Sequence, residues 1–135
     1  MKRILFSVLF LGLGVNLLFA KGEAEIKFNK LTHDFGTFSE EKGIVTCEFK
    51  FKNIGDAPLV INQAIATCGC TVPEYTQEPI MPGKSGFIKV TYNGKGRYPG
   101  HFKKAINIRT NAKTKAVRLY IEGNMTAAKA PAQKE

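Results

Sequence analysis

The chain has 135 residues, 44% of them hydrophobic, and a formal net charge of +9. This length suits one domain with its own core but not two. The basic balance raises the question of a nucleic-acid partner. The lysines are dispersed, however, and several alternate with apolar residues, as on the solvent face of a strand. We therefore expect a solvated basic surface and no nucleic-acid partner.

The first twenty residues have the pattern of a targeting segment. Lys2 and Arg3 precede an apolar run from Ile4 to Phe19, and Ala20 stands just before the expected cut. A basic start, an apolar middle and a small final residue are typical of a secretory signal peptide. A retained anchor is the alternative, but the run is shorter than the ~20 residues that span a bilayer. We predict cleavage after Ala20, no membrane span in the mature protein, and a periplasmic or extracellular location.

The rest of the chain alternates apolar and polar residues with the period of two that strands require. In the clearest segment, Val45, Cys47, Phe49 and Phe51 share one face. Turn residues interrupt the pattern roughly every ten residues, which is typical of a sandwich or barrel. No segment of the mature sequence shows sustained helical periodicity. The pattern predicts an all-β fold.

About seven strands in roughly 100 residues match an immunoglobulin-like β-sandwich. The small, polar, proline-containing end is typical of a disordered tail. We predict a signal peptide over residues 1–20, an immunoglobulin-like domain over 21–126 and a disordered tail over 127–135.

A proline-rich segment over residues 71–84 is predicted to be a long connection without regular pairing. Pro73, Pro79 and Pro82 lie within it, and proline removes a ladder hydrogen bond. Long loops held by a rigid scaffold often carry binding functions. We therefore predict a partner-contact loop here, for an unknown protein or another envelope component. Its candidate residues are Glu74, Tyr75, Glu78 and Met81.

Cys68 and Cys70 form the one site-like feature of the sequence, because residues two apart on a strand share a face. A disulfide between them would close a very small, easily reduced ring. Two thiolates would instead suit copper or zinc. A structural pair at the strand end is the third interpretation. Cys47 is expected in the core, too far along its strand to bond Cys68.

Few further metal ligands are present in the sequence. A tetrahedral site needs about four ligands, and no Cys-x-x-Cys or His-x-His pattern occurs. We predict no metal and no other cofactor, and keep thiol-based redox or soft-metal handling as the alternative function. The residues that would have to complete such a site are His33, His101, Met81 and Met125.

No serine or cysteine lies in an evident arrangement with a histidine and a carboxylate, and no glycine pattern suits a phosphate. We therefore predict that the chain is not an enzyme. The favoured hypothesis is a non-enzymatic binding or structural module of the bacterial cell envelope.

Several short motifs follow one another along the chain between about Ile26 and Ile121. They are Asp34-Phe35-Gly36-Thr37-Phe38, Phe49-Lys50-Phe51-Lys52-Asn53-Ile54-Gly55, Pro58-Leu59-Val60-Ile61, Cys68-Gly69-Cys70-Thr71, Met81-Pro82-Gly83-Lys84 and the segment from Ile88 to Tyr92. In this order they resemble a bacterial family called domain of unknown function 1573. The resemblance implies an exported protein with an Ig-like sandwich of the Hydin type, and it leaves the biochemical role open.

Overall fold

Residues 22–129 are described by a computed structural model, in which eight β-strands form two sheets. The predicted signal peptide and residues 130–135 of the predicted tail lie outside the described residues. The all-β sandwich prediction is confirmed, with one strand more than the approximate count of seven. The strands are β1 (Ile26–Phe28), β2 (Thr32–Ser39), β3 (Ile44–Asn53), β4 (Ile61–Ala66), β5 (Thr71–Tyr75), β6 (Ser85–Asn93), β7 (Gly100–Thr110) and β8 (Ala116–Thr126).

The strand order is that of an immunoglobulin domain. One sheet has the order β1-β3-β6-β5, and the other has the order β2-β8-β7-β4. The first corresponds to strands A-B-E-D, and β8-β7-β4 corresponds to G-F-C. β2 extends the second sheet by pairing parallel with β8, whereas the other pairs of these eight strands are antiparallel.

The core lies between the two sheets and follows the predicted alternation. Phe49 and Phe51 are buried while Lys50 between them is exposed. An apolar residue at every second position gives each strand one water-free face. The opposite sheet contributes the matching face. Its fully buried members include Ile106, Ile108, Leu119, Ile121 and Met125.

The prediction that residues 71–84 form a connection without regular pairing is wrong for residues 71–75. Thr71–Tyr75 forms strand β5 at the edge of its sheet, paired with β6 alone. Pro73 lies opposite Val90, whose own backbone groups face β3 in the antiparallel alternation. The nitrogen of Pro73, which carries no hydrogen, therefore faces away from β6. An edge strand tolerates proline at such a position, because no hydrogen bond of the ladder is lost.

The two ends of the sandwich differ in the segments that form them. The disulfide end contains Cys68 and Cys70, the turn over residues 40–43 and the loop over 94–99. The groove end contains the segment 22–25 and the loops over 54–60, 79–84 and 111–115. Because β3 runs from the disulfide end to the groove end and β6 returns, both ends are held by the same central strands.

Candidate functional site

The Cys68–Cys70 pair lies where the chain passes from one sheet to the other, between β4 and β5. The two cysteines are joined by a disulfide, with 5.2 Å between their α-carbons. On one side, the N–H of Thr67 donates to the carbonyl of Ala105 in β7. On the other, the N–H of Asn93 donates to the carbonyl of Cys70 at 2.8 Å. The bonded pair is thus anchored to both sheets.

The burial of the two sulfur-bearing residues differs. Cys70 is buried and Cys68 is half-buried, both packed against the core. Gly69 between them is exposed, and nothing lies within 4 Å of where its Cβ would be. The bond therefore lies in the segment that crosses between the two sheets. The inner side of this segment packs against the core, and its outer side is exposed to solvent.

Cys47 is the one free cysteine, as its place in the alternation predicted for a core residue. It lies in β3 opposite Val90 and is buried. Burial raises the pKa of its thiol to about 11, and the charge of Lys30 opposes this rise. A thiol with a pKa this high is inert at neutral pH, since the thiolate is the reactive form.

The additional metal ligands considered above are dispersed. His33 lies in β2, His101 is exposed in β7, Met81 is at the groove end, and Met125 is buried in β8. Within residues 22–129, no three His, Cys, Asp or Glu side chains come together as a metal-ligating group.

The four predicted contact residues do not share one loop. Glu74 and Tyr75 belong to β5, where Glu74 lies on the outer face opposite Lys89 and Tyr75 packs on the core. Glu78 and Met81 lie beyond the strand and are exposed, Met81 to 53%. Of the four, Met81 is thus the one exposed apolar side chain.

An open groove of about 600 Å³ lies at the groove end, and no motif of the sequence indicated it. Four separate segments form its walls, so the residues come together only through the fold. The groove has apolar surfaces from proline and alanine and charged groups from lysine and glutamate. Its lining includes Glu23, Ala57, Pro58, Pro79, Lys113 and Lys115.

Hydrogen bonds from side chains and from the backbone fix these walls to one another. The side chain of Asn111 accepts from the N–H of Val60 at 2.8 Å and donates to the carbonyl of Pro58 at 3.0 Å. The N–H of Lys113 donates to the carbonyl of Ala24 at 2.9 Å. The groove is therefore formed before any ligand arrives.

Asn53 lies at the centre of the groove end. Its sequence context indicated only a turn, and its role in joining several segments was not predicted. Its side chain is fully buried and donates to the carbonyls of Ala57 and Ile80 at 2.8 and 2.9 Å. Its oxygen accepts from the N–H groups of Gly55 and Glu25. One amide thus ties three of the four groove-end segments together. The Asn53-Ile54-Gly55 sequence at the end of β3 was the available signal.

The charges of the groove remain available to a ligand. In the described part of the chain, the ion pairs within 4.0 Å join His101 and Lys103 to Glu122, leaving Lys113 and Lys115 unpaired. Desolvation opposes ionisation of Glu25, but N–H groups of Ile26 and Thr114, with Lys113 nearby, lower the pKa of its carboxyl overall.

Comparison with known proteins supports the family that the sequence motifs suggested. A family model described as "Protein of unknown function (DUF1573)" matches residues 26–125. The chain belongs to this DUF1573 family. No protein of curated function matches it.

Solved structures with the same fold come from distant sources. A protein of unknown function from Porphyromonas gingivalis W83 superposes with a TM-score of 0.62 at 16% identity, over 76% of this chain and 46% of that one. The ASH/PapD-like domain 7 of human CEP192 gives 0.58 at 10% identity, over 79% and 89%. The YadV chaperone gives 0.54 at 14% identity, over 78% and 54%. Identities this low support the fold alone.

This DUF1573 chain thus spans less than half of the Porphyromonas protein that it resembles. Within residues 22–129, there is no helix that could cross a membrane.

Proposed function

We propose that the protein is an exported, non-enzymatic binding module of the bacterial cell envelope, with the groove end as its contact surface. The observation that carries this proposal is the pre-formed groove, whose walls are already tied by the side chain of Asn111. A pre-organised site binds more tightly because less of the interaction energy is spent on ordering. A groove of about 600 Å³ also lies within the ordinary range of binding sites.

Export is supported by two independent features. The start of the sequence has the order of a secretory signal, and disulfides such as Cys68–Cys70 persist mainly in oxidising compartments. The anchoring of this bond to both sheets favours a bracing role for it. A redox role instead requires a bond that a reductant opens without loss of the fold.

Site-specific photo-crosslinking in the cells that naturally produce the protein tests the binding role. We expect a photo-reactive residue at Met81 to give a discrete adduct in the envelope fraction. The matched control is Phe87, which is 39% exposed on the outer face of β6, away from the groove. Replacing Lys113 and Lys115 by Glu should weaken the adduct. Equal adducts from both positions, or fractionation with the cytoplasm, would contradict the proposal.

A further inference from the structure

We propose that two copies of this chain form a dimer by pairing their β4 strands edge to edge, antiparallel and centred on Ile65. β4 is the last strand of its sheet, and within residues 22–129 it pairs with β7 alone. Its other edge therefore offers backbone groups to an added strand. This inference does not use the groove and goes beyond the binding role proposed above.

The other exposed strand edges of the sandwich carry features that oppose pairing with another chain. β1 is 3 residues long and contains Lys27, and the part of β3 beyond it contains exposed Glu48. β2 has a bulge at Gly36, whose φ is 69°. β5 contains Pro73, whose nitrogen faces away from β6. Charges, bulges and prolines are the devices by which native sheets prevent edge-to-edge association.

The second half of β4 lacks these features. No charged residue occurs between Asp56 and Glu74, in a chain in which 23% of residues are charged. The strand contains no proline, and its bulge lies at its beginning, before Gln63. Ile65 is 46% exposed on the outer face, although it lies within a strand. A regular, uncharged and partly apolar edge therefore extends from Gln63 to Ala66.

The ladder with β7 determines which backbone groups of β4 are free. The N–H of Thr67 donates to the carbonyl of Ala105 in β7 at 3.1 Å. Successive residues of an antiparallel strand point their backbone groups to opposite sides. The groups of Ala64 and Ala66 therefore point away from β7, and those of Ile65 point toward it. A second β4 placed with Ile65 opposite Ile65 would exchange hydrogen bonds between Ala64 of one copy and Ala66 of the other.

This register makes the edge complementary to itself, as a two-fold interface requires. On the outer face Ile65 meets Ile65, and on either side Gln63 meets Thr67, so apolar and polar groups each find a matching partner. The charged residue of β7 opposite this stretch is Arg109, which pairs with Gln63 one strand further in. The two arginines are then at least three strand spacings, or roughly 14 Å, apart. That distance exceeds the screening length of about 8 Å at physiological salt.

The facing sheet is compatible with this pairing. The two-fold axis is perpendicular to the sheet, so β5, the edge strand that follows β4, comes beside β5 of the other copy. Neighbouring strands need only about 4.8 Å, because their side chains point to the two faces. Glu74 of β5 lies on the outer face, opposite Lys89 of its own copy. The two β5 strands can thus lie side by side without a ladder between them.

Pairing through β4 would also orient the two grooves. Because the paired strands are antiparallel, the groove ends of the two copies point in opposite directions. The dimer would therefore present two contact surfaces and suit the bridging of two partner molecules. This consequence alone rests on the binding role proposed above.

Sedimentation equilibrium of the exported protein is the first test. An interface made by one strand edge is at the small end of the usual range, so dimers should appear at about 0.1–1 mM protein. Ile65→Lys places like charges opposite each other and should raise the Kd of the dimer at least about tenfold. The matched control is Ile44→Lys, because Ile44 is 49% exposed on β3, two strands away from β5. It should change the Kd less than about twofold.

Cysteine cross-linking tests the register. Directly opposite residues that are not hydrogen-bonded to each other have α-carbons about 4.5 Å apart, which is within the range of a disulfide. Ile65→Cys should therefore give a covalent dimer under mild oxidation, seen on a non-reducing gel. Ile44→Cys and Gln63→Cys should give none. Gln63 is the control for register, since it lies opposite Thr67.

Three results would overturn this inference. One is a monomer at about 1 mM protein, which would leave the edge to a strand of a different protein. The others are equal weakening by the two lysine variants and equal cross-linking at positions 65 and 44. Photo-crosslinking at Met81 reports on the groove and is independent of these measurements, so the proposed function and the dimer fail separately.

Discussion

At the scale of single residues, the side chain of Asn53 stabilises several segments of the groove end as well as a turn. An exposed asparagine at a turn bonds mainly to its own backbone. Asn53 is fully buried, and all its side-chain polar atoms have partners in three different segments. Its loss would remove this donor from the carbonyl of Ala57, whereas the carbonyl of Ile80 would still accept from the N–H of Leu59. A buried group left unpaired costs about 1–3 kcal/mol.

The Cys47 thiol makes stability depend on pH in the alkaline range. Its pKa rises from 9.0 to about 11 on folding, so the unfolded chain loses its proton first as pH increases. Stability is therefore retained below pH 9 and lost between about pH 9 and 11. We expect this thiol to account for roughly 2 kcal/mol of the fall in unfolding free energy between pH 8 and 10.5.

Urea unfolding at the two pH values measures this effect. The control is Cys47→Ala, which has no thiol to ionise and should lose that much less between them. The same pH dependence in both proteins would show that the thiol is not shielded as described.

At the scale of strands, the sequence predicted the central elements better than the edges. Alternation in β3 is clear because both neighbours and the facing sheet impose a buried face. β5 was missed because Pro73 argues against a strand unless one knows that its nitrogen faces solvent. The placement of β1 and β2 in different sheets depends on their partner strands, which local patterns do not encode.

The bonded crossover between β4 and β5 should contribute modestly to stability. Replacing Cys68 and Cys70 together by serine removes a link across a very short loop, worth roughly 2 kcal/mol in the chain-entropy treatment. We expect the melting temperature to fall by about 5–10 °C. Gly69→Ala is the matched control, because it adds a methyl group in open space.

A thermal melt of the three proteins gives the answer. An unchanged melting temperature in the double variant would favour the redox alternative over a bracing role.

At the scale of the whole molecule, the fold class was predictable from the sequence and the candidate binding surfaces were not. Period-two alternation and turn spacing are local signals, and they sufficed for a two-sheet sandwich. The groove joins residues as distant as Glu23 and Lys115. The groove is a product of tertiary arrangement, which local sequence patterns do not encode.

Export of a disulfide-braced domain is tested most directly by intact-mass spectrometry of the full chain after expression and export. We predict a protein beginning at Lys21 that takes up no iodoacetamide while folded, because Cys47 is buried. It should take up one equivalent after unfolding and three after unfolding with a reductant, because Cys68 and Cys70 are bonded. An intact Met1 on the exported protein, or three equivalents without reductant, would contradict this prediction.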